Sequence, residues 1–200
     1  MAVTHEILVS PLTLPCGVTL RNRLGKPAMS DSLGDGRGDP TAAQARLYER
    51  WAAGGAALAI IGEVQTDPFA LEKPGNLVLA PDMDRAAFRR LTTMGSKNGC
   101  HIWAQLGHAG ALSHEPLGRA VGPSALDLPG LKCGALSGEE VDALPELFAT
   151  GARRAREAGF TGVQIHAAHG FLLSQFLSPL FNRRTDHRGG SLANRAGILF

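Results

Sequence analysis

The sequence predicts an α/β fold built on a parallel sheet. Three observations carry this expectation. Short apolar runs bounded by glycine alternate with segments of helical period, the alternation recurs along the chain, and the first three helical segments open on capping residues and close on glycine.

The first unit starts with a strand over Leu24 to Met29, followed by a helix capped by Thr41 and running through Arg46, Trp51 and Ala53 to the stop Gly54-Gly55. The run Ala56-Ala57-Leu58-Ala59-Ile60-Ile61 is short and glycine-bounded, as a buried strand is. Asp82 or Asp84 then caps a helix with Phe88, Leu91 and Met94 on one face, ended by Asn98-Gly99. The third strand is Cys100 to Leu106. Its helix opens at Ser137 with Glu140 three residues on, the capping-box spacing, and carries Val141, Leu144, Leu147, Phe148, Ala152 and Ala155 on its apolar face. Pro145 lies too deep for a first-turn proline and is expected to kink or split this helix. Ala158-Gly159 closes it, Gly162 to His166 is the fourth strand, and a last helix starts near Ser191, with the chain's end at Phe200 expected inside it.

Two segments fall outside this alternation. Leu12 to Asn22 reads as a β-hairpin ahead of the first strand, placed over the N-terminal end of the sheet. Leu106 to Leu136 is rich in Gly and Pro and lacks periodicity, so it is expected to be a long functional or disordered loop.

Composition narrows the function classes. A chain of 200 residues, 44% hydrophobic, can bury a sizeable core, and a formal net charge of +2 gives no electrostatic footprint for nucleic acid or an anionic membrane. Cys16, Cys100 and Cys133 are odd in number and widely spaced, which suits a reducing compartment better than a disulfide framework or a zinc site. Met1 to Ser10 lacks the pattern of a secretory signal, and no apolar run approaches a membrane span, so a soluble cytoplasmic protein is the default expectation.

Polar residues cluster at or just beyond each strand: Ser30 and Asp31, Glu63 and Gln65, Gln105 and His108, His166 and His169. Reaction sites of α/β barrels are built at this end of the strands. Loop starts are polar in any protein, but that does not account for Gln105 inside a strand or for two histidines three residues apart. Three chemistries compete for His166 and His169. Two imidazoles can bind a metal, although no third Asp, Glu or Cys stands at suitable spacing. They can be structural, or they can donate hydrogen bonds to an oxygen on a substrate as charge develops there. Spacing alone leaves these open.

The stretch GFTGVQIHAAHGFLLSQFLSPLFNRRTDHRGGSLANR, Gly159 to Arg195, resembles the signature of the Old Yellow Enzyme or NADH:flavin oxidoreductase family. LRNRLGKPAMS, AAGGAALAIIGEVQTD and HIWAQLGHAGAL agree with it, so the likeness covers most of the chain. It implies a (β/α)8 TIM barrel in which NAD(P)H reduces FMN and hydride passes to an activated alkene or similar small-molecule acceptor. His166 and His169 resemble the pair that binds the substrate's activating oxygen. Pro27, Ala28, Met29 and Ser30 match the strand beside the flavin ring, Gln105 the glutamine on its pyrimidine edge, and Val64 a small residue touching the ring by backbone. For Met29 and Val64, ordinary core packing is an equal alternative. The segment Asn182 to Asp186 with Gly189, Gly190, Asn194 and Arg195 reads as a loop-shaping network. His5, His101, His108, His114 and His187 are not singled out, although His108 belongs to the Gln105 motif and can line the site.

The resemblance has departures. Phe171 stands where many relatives have a proton-donating tyrosine, and His187-Arg188 differs from the usual pair before Gly189-Gly190. Eight strand–helix units take about 250 residues, and four are expected here, so residues 1–200 are read as one partial barrel domain, the N-terminal half. A non-catalytic half-barrel with weak or no flavin binding is the alternative to the enzyme. A homo-oligomer is compatible with either.

Overall fold

The computed structural model describes residues 2–113 and 118–200. It opens with a helix that the sequence pattern did not announce, α1 (Ala2–Val9). The expected hairpin follows as β1 (Leu12–Thr13) and β2 (Thr19–Leu20), paired antiparallel. Beyond it, Asn22 Nδ2 donates to Gly55 O at 2.9 Å and Arg21 to Ala56 O at 3.1 Å, tying this end to the segment entering the second large strand.

The main sheet is parallel, as expected. Its strands are β3 (Gly25–Met29), β4 (Leu58–Gln65), β6 (His101–Gly107) and β10 (Gly162–Ile165), in the spatial order β10-β6-β4-β3, with the short β5 (Leu77–Val78) pairing with the end of β4. Between them run α2 (Ala42–Ala53), α3 (Arg85–Gly95), a 3₁₀ turn at Lys97–Gly99, and α4 (Gly138–Glu157). Ser137 and Glu140 form the capping box, Thr41 Oγ1 accepts from Gln44 N, and Asp84 accepts from the amides of Ala86 and Ala87.

Strand alternation divides the sheet into two faces. Ala59, Ile61, Val64, Ile102, Ala104 and Leu106 turn one way and are buried against Tyr48, Phe88, Leu91, Phe148 and Ala155 of the helices. On β6 the intervening His101, Trp103 and Gln105 turn to the opposite face and are only half-buried. With all three long helices on one side, the other side forms an open cup. On the edge strand β10, Ile165 falls in register with the helix-side Leu106 and is 47% exposed.

Several expectations need correction. β4 runs four residues past Ile61, because Gly62 is a point of close approach and not a stop: a Cβ there would lie 2.5 Å from the Met29 carbonyl carbon. α4 passes Pro145 without splitting. That proline is on the exposed side of the helix, and having no N–H it leaves the Val141 carbonyl without its usual donor. The helix before the third strand ends at Gly95, not at Asn98-Gly99. The segment expected to be a loop holds a 3₁₀ turn (Gly110–Leu112) and a small sheet of β7 (Val121–Gly122), β8 (Leu126–Leu128) and β9 (Leu131–Ala135), ordered β7-β9-β8. Val121 and Leu136 pack it on α4 and on α5 (Leu172–Leu177), a further helix without a clear sequence signal. The last helix, α6 (Leu192–Ala196), is capped by Ser191 and is over before the terminal residues, which are not helical.

Candidate functional site

The site lies where the open face of the sheet meets the C-terminal ends of its strands. Gln105 on β6 and Gln164 on β10 are register neighbours on this face, and Gln105 Nε2 donates to Gln164 Oε1 at 2.9 Å. Two residues further, past Ile165, the His166 amide donates to Leu106 O at 2.9 Å, extending the pairing with β6. The His166 ring is 4% exposed. It meets Phe171 edge-on with centroids 4.9 Å apart, and His169 edge-on at 5.3 Å. His169 is exposed and has a left-handed backbone, φ +59°. Two imidazoles thus stand side by side one strand away from Gln105. Among the described residues no group of three or more His, Cys, Asp or Glu could hold a metal ion.

The end of β3 supplies the other flank. Pro27 and Met29 are exposed and Ala28 is half-buried. The register between β3 and β4 shifts between Lys26 and Met29, opposite the close approach at Gly62. Ser30 Oγ is buried and has no hydrogen-bond partner among the described residues; the same holds for Gln65 Oε1 on β4. Val64 points its side chain into the helix-side core, so only its backbone can face a ligand.

Other polar residues at the strand ends turn away. Asp31 accepts both contacts from Gln44 Nε2, at 2.9 and 3.1 Å. Nearby, Lys26 Nζ donates to Ile60 O at 2.9 Å and bonds Tyr48 Oη at 3.0 Å, all behind the sheet. Burial holds the Lys26 ammonium below its usual pKa, and burial, then Asp31, raises that of Tyr48. His108 is also buried: its Nδ1 accepts from Gly110 N at 3.0 Å and its Nε2 stands 3.8 Å from Asp67 Oδ2. Burial pushes its pKa down to about 4, with Asp67 opposing. The side chain of Glu63, and His114 entirely, lie outside the described residues.

The loop after α5 is shaped by charge-assisted bonds. Arg184 clasps Asp186 through Nε at 2.9 Å and Nη2 at 2.5 Å, and its Nη1 reaches Leu136 O at 2.9 Å. Asn182 Nδ2 donates to Phe176 O and Arg188 O, and Arg195 Nε to Leu177 O. Sequence reasoning missed Gln164 in the site itself. Its signal was the two-residue step to His166, which puts both on one face of a strand.

The family model for the NADH:flavin oxidoreductase / NADH oxidase family matches residues 7–199. The chain belongs to this family. An NADH-dependent flavin oxidoreductase of Hypocrea jecorina is 35% identical over 223 residues, covering 100% of this chain and 55% of that protein. An NADPH dehydrogenase of Halalkalibacterium halodurans is 36% identical over 92% of this chain and 54% of its own length. This chain therefore spans about half the length of these relatives. Among solved structures, morphinone reductase in complex with tetrahydroNAD superposes with a TM-score of 0.87 at 30% identity, over 96% of this chain and 58% of that one. The Old Yellow Enzyme homologue from Zymomonas mobilis gives 0.87 at 29%, over 96% and 57%. The cup is thus a partial TIM barrel of this family, whose cofactor is FMN and whose reductant is NADH or NADPH.

The residues present fit a flavin. A flat ring with a polar edge needs an open face, a hydrogen-bonding amide and buried polar atoms awaiting partners; Gln105, Ser30 Oγ and Gln65 Oε1 meet the last two needs at the rim of that face.

Proposed function

We propose that this chain carries the substrate-gripping pair and part of the flavin site of an FMN-dependent oxidoreductase of the ene-reductase type. The observation that supports it best is the pair of adjacent imidazoles, 5.3 Å between centroids, just beyond the end of the strand that neighbours Gln105's. The chemistry that bound FMN supplies is relay of hydride from NAD(P)H to the β-carbon of an alkene activated by a carbonyl or nitro group, or to a similar acceptor. Pro27, Ala28, Met29 and Ser30 would lie along the ring, Gln105 at its pyrimidine edge, and Val64 against it by backbone.

His166 and His169 act on the substrate. Each neutral imidazole has one N–H to donate, and both donors converge on the activating oxygen. Hydride addition at the β-carbon leaves negative charge on that oxygen, so these bonds strengthen in the transition state more than in the ground state. Phe171 borders His166 and has no transferable proton, so a proton for the α-carbon has to come from water or from another group. The protein is read as one partial barrel domain over residues 1–200, cytoplasmic, acting on a small molecule without nucleic-acid or membrane partners, and compatible with a homo-oligomer. Among the described residues no helix is long and apolar enough to cross a membrane.

The open edges favour a second reading: among the described residues β3 and β10 each pair on one side only, which suits a half-barrel that retains little flavin without a complement. An absorbance spectrum of the purified 200-residue chain separates the two. Stoichiometric bound flavin, with phenol perturbing its spectrum, is the expected result. Colourless protein that takes up no added FMN would favour the half-barrel and overturn the enzyme reading for this chain.

A further inference from the structure

Gln175 on α5 takes no part in the site as described, yet its side chain is fully buried and its amide is bonded at both ends. Oε1 accepts from Ala111 N at 3.1 Å; Nε2 donates to Ala109 O at 3.2 Å and to Gly170 O at 2.6 Å. The first two partners belong to the loop after β6, and the third to the turn after β10 that carries His169. The loops are further joined where Leu172 N donates to His108 O at 3.0 Å.

We infer that Gln175 is a positioning residue for His169, fastening the left-handed turn beneath that imidazole to the loop after β6. The inference rests on the donor-pair reading proposed above. His169 and Gly170 are consecutive left-handed residues, at φ +59° and +80°. A non-glycine residue takes that conformation uncommonly, histidine more readily than most, and contacts around the turn help to hold it there. The His169 ring is exposed and touches the edge of His166, so packing does little to aim it. The backbone below must do so. Ser174 Oγ, bonded to Ala168 O at 3.3 Å and Phe171 O at 3.0 Å, steadies the two ends of the turn. The Gly170 carbonyl between them is held by Gln175. A Cβ at Gly110 would come within 2.5 Å of Gln175 Oε1, so the two loops are fitted closely around this amide.

The test is a set of double-mutant cycles on the FMN-loaded chain, read by calorimetric titration with phenol and by nitrogen-15 NMR of the imidazoles. Gln175→Leu should weaken phenol binding about tenfold, equally in the unmutated and His166→Ala backgrounds. In His169→Ala it should do nothing further. The His169 signals should shift while those of His5 and His187 stay, with FMN content unchanged. Equal weakening with and without His169, or unmoved His169 signals, would overturn the inference. If neither His166→Ala nor His169→Ala alters phenol affinity, the donor-pair reading fails; displaced His169 signals in Gln175→Leu would still uphold the positioning role.

Should Gln175→Leu not fold, Gln175→Glu keeps the acceptor for Ala111. Its carboxyl donates to Gly170 O only when protonated, and burial raises its pKa. Phenol binding should then recover as pH falls, relative to the unmutated chain. Absence of that recovery would overturn the inference.

Discussion

The ring of Phe171 closes one side of His166, with centroids 4.9 Å apart and planes at 68°. This contact leaves His166 buried while its neighbour His169 remains exposed. A donor shielded from water acts in a lower local dielectric, so the two imidazoles should contribute unequally to holding an oxyanion. His166→Ala is expected to weaken phenol binding by about 1.5–3 kcal/mol, roughly 10- to 100-fold, the range for bonds to charged groups. His169→Ala should cost less, and FMN retention should change less than phenol affinity in both. Calorimetric titration beside flavin quantitation checks this; equal affinities in the unmutated and His166→Ala chains would remove the donor role.

The approach of β3 to β4 at Gly62 sets where Pro27 to Ser30 stand. A Cβ at Gly62 would lie 2.5–2.8 Å from three backbone atoms of Met29, and backbone cannot swing aside as a side chain can. Gly62→Ala should destabilise the fold by about 1–3 kcal/mol and reduce FMN retention, because the displaced strand end is the proposed ring platform. Gly138→Ala is the control, since nothing lies within 4 Å of its Cβ position. Urea denaturation and flavin content of the two variants give the comparison.

The sequence made some of this legible and hid the rest for physical reasons. Thr41, Asp84 and Ser137 advertised their helices because a cap needs a side-chain acceptor at one defined place. The helix-side core of the sheet was legible through its apolar runs. The end of β4 was not, because a glycine needed for close approach looks the same as one that ends a strand. β7 to β9 are two to five residues long, too short for any period to register. His166 and His169 stood out by type and spacing. Asp31 and His108 were grouped with them because a strand end has two faces, and residue type does not say which is taken. Gln175 had no signal, since a buried amide on a short helix reads as a surface residue until its partners are seen.

Arg184 joins the small sheet to the loop after α5. It holds Asp186 with two nitrogens and donates to Pro123 O at 3.2 Å and Leu136 O at 2.9 Å, and it draws the Asp186 pKa below its ordinary value. Lysine keeps the charge but not the planar fork, so Arg184→Lys should lose several of these bonds at once. The expected cost is about 2 kcal/mol, with faster proteolysis within residues 121–136. Unchanged cleavage kinetics there would show that the small sheet stands without this arginine.

His108 makes stability depend on pH in a window set by its own environment. With Nδ1 accepting from Gly110 N, its proton sits on Nε2 toward Asp67, and the folded protein has little place for a second. Burial lowers the pKa from 6.5 to about 4. The unfolded chain therefore binds a proton below about pH 6.5 that the folded chain refuses until about pH 4. The stabilisation is complete above the higher value, declines as pH falls between the two, and is gone below the lower; its full size is up to about 3 kcal/mol. His108→Asn keeps an acceptor for Gly110 and removes the titration. Urea denaturation at about pH 7.5 and about pH 5 should show a larger loss in the unmutated chain than in the variant. Because Gly110 also packs against Gln175, acid should loosen the turn under His169 together with the fold. If both chains lose equal stability over this range, the imidazole is not the titrating group.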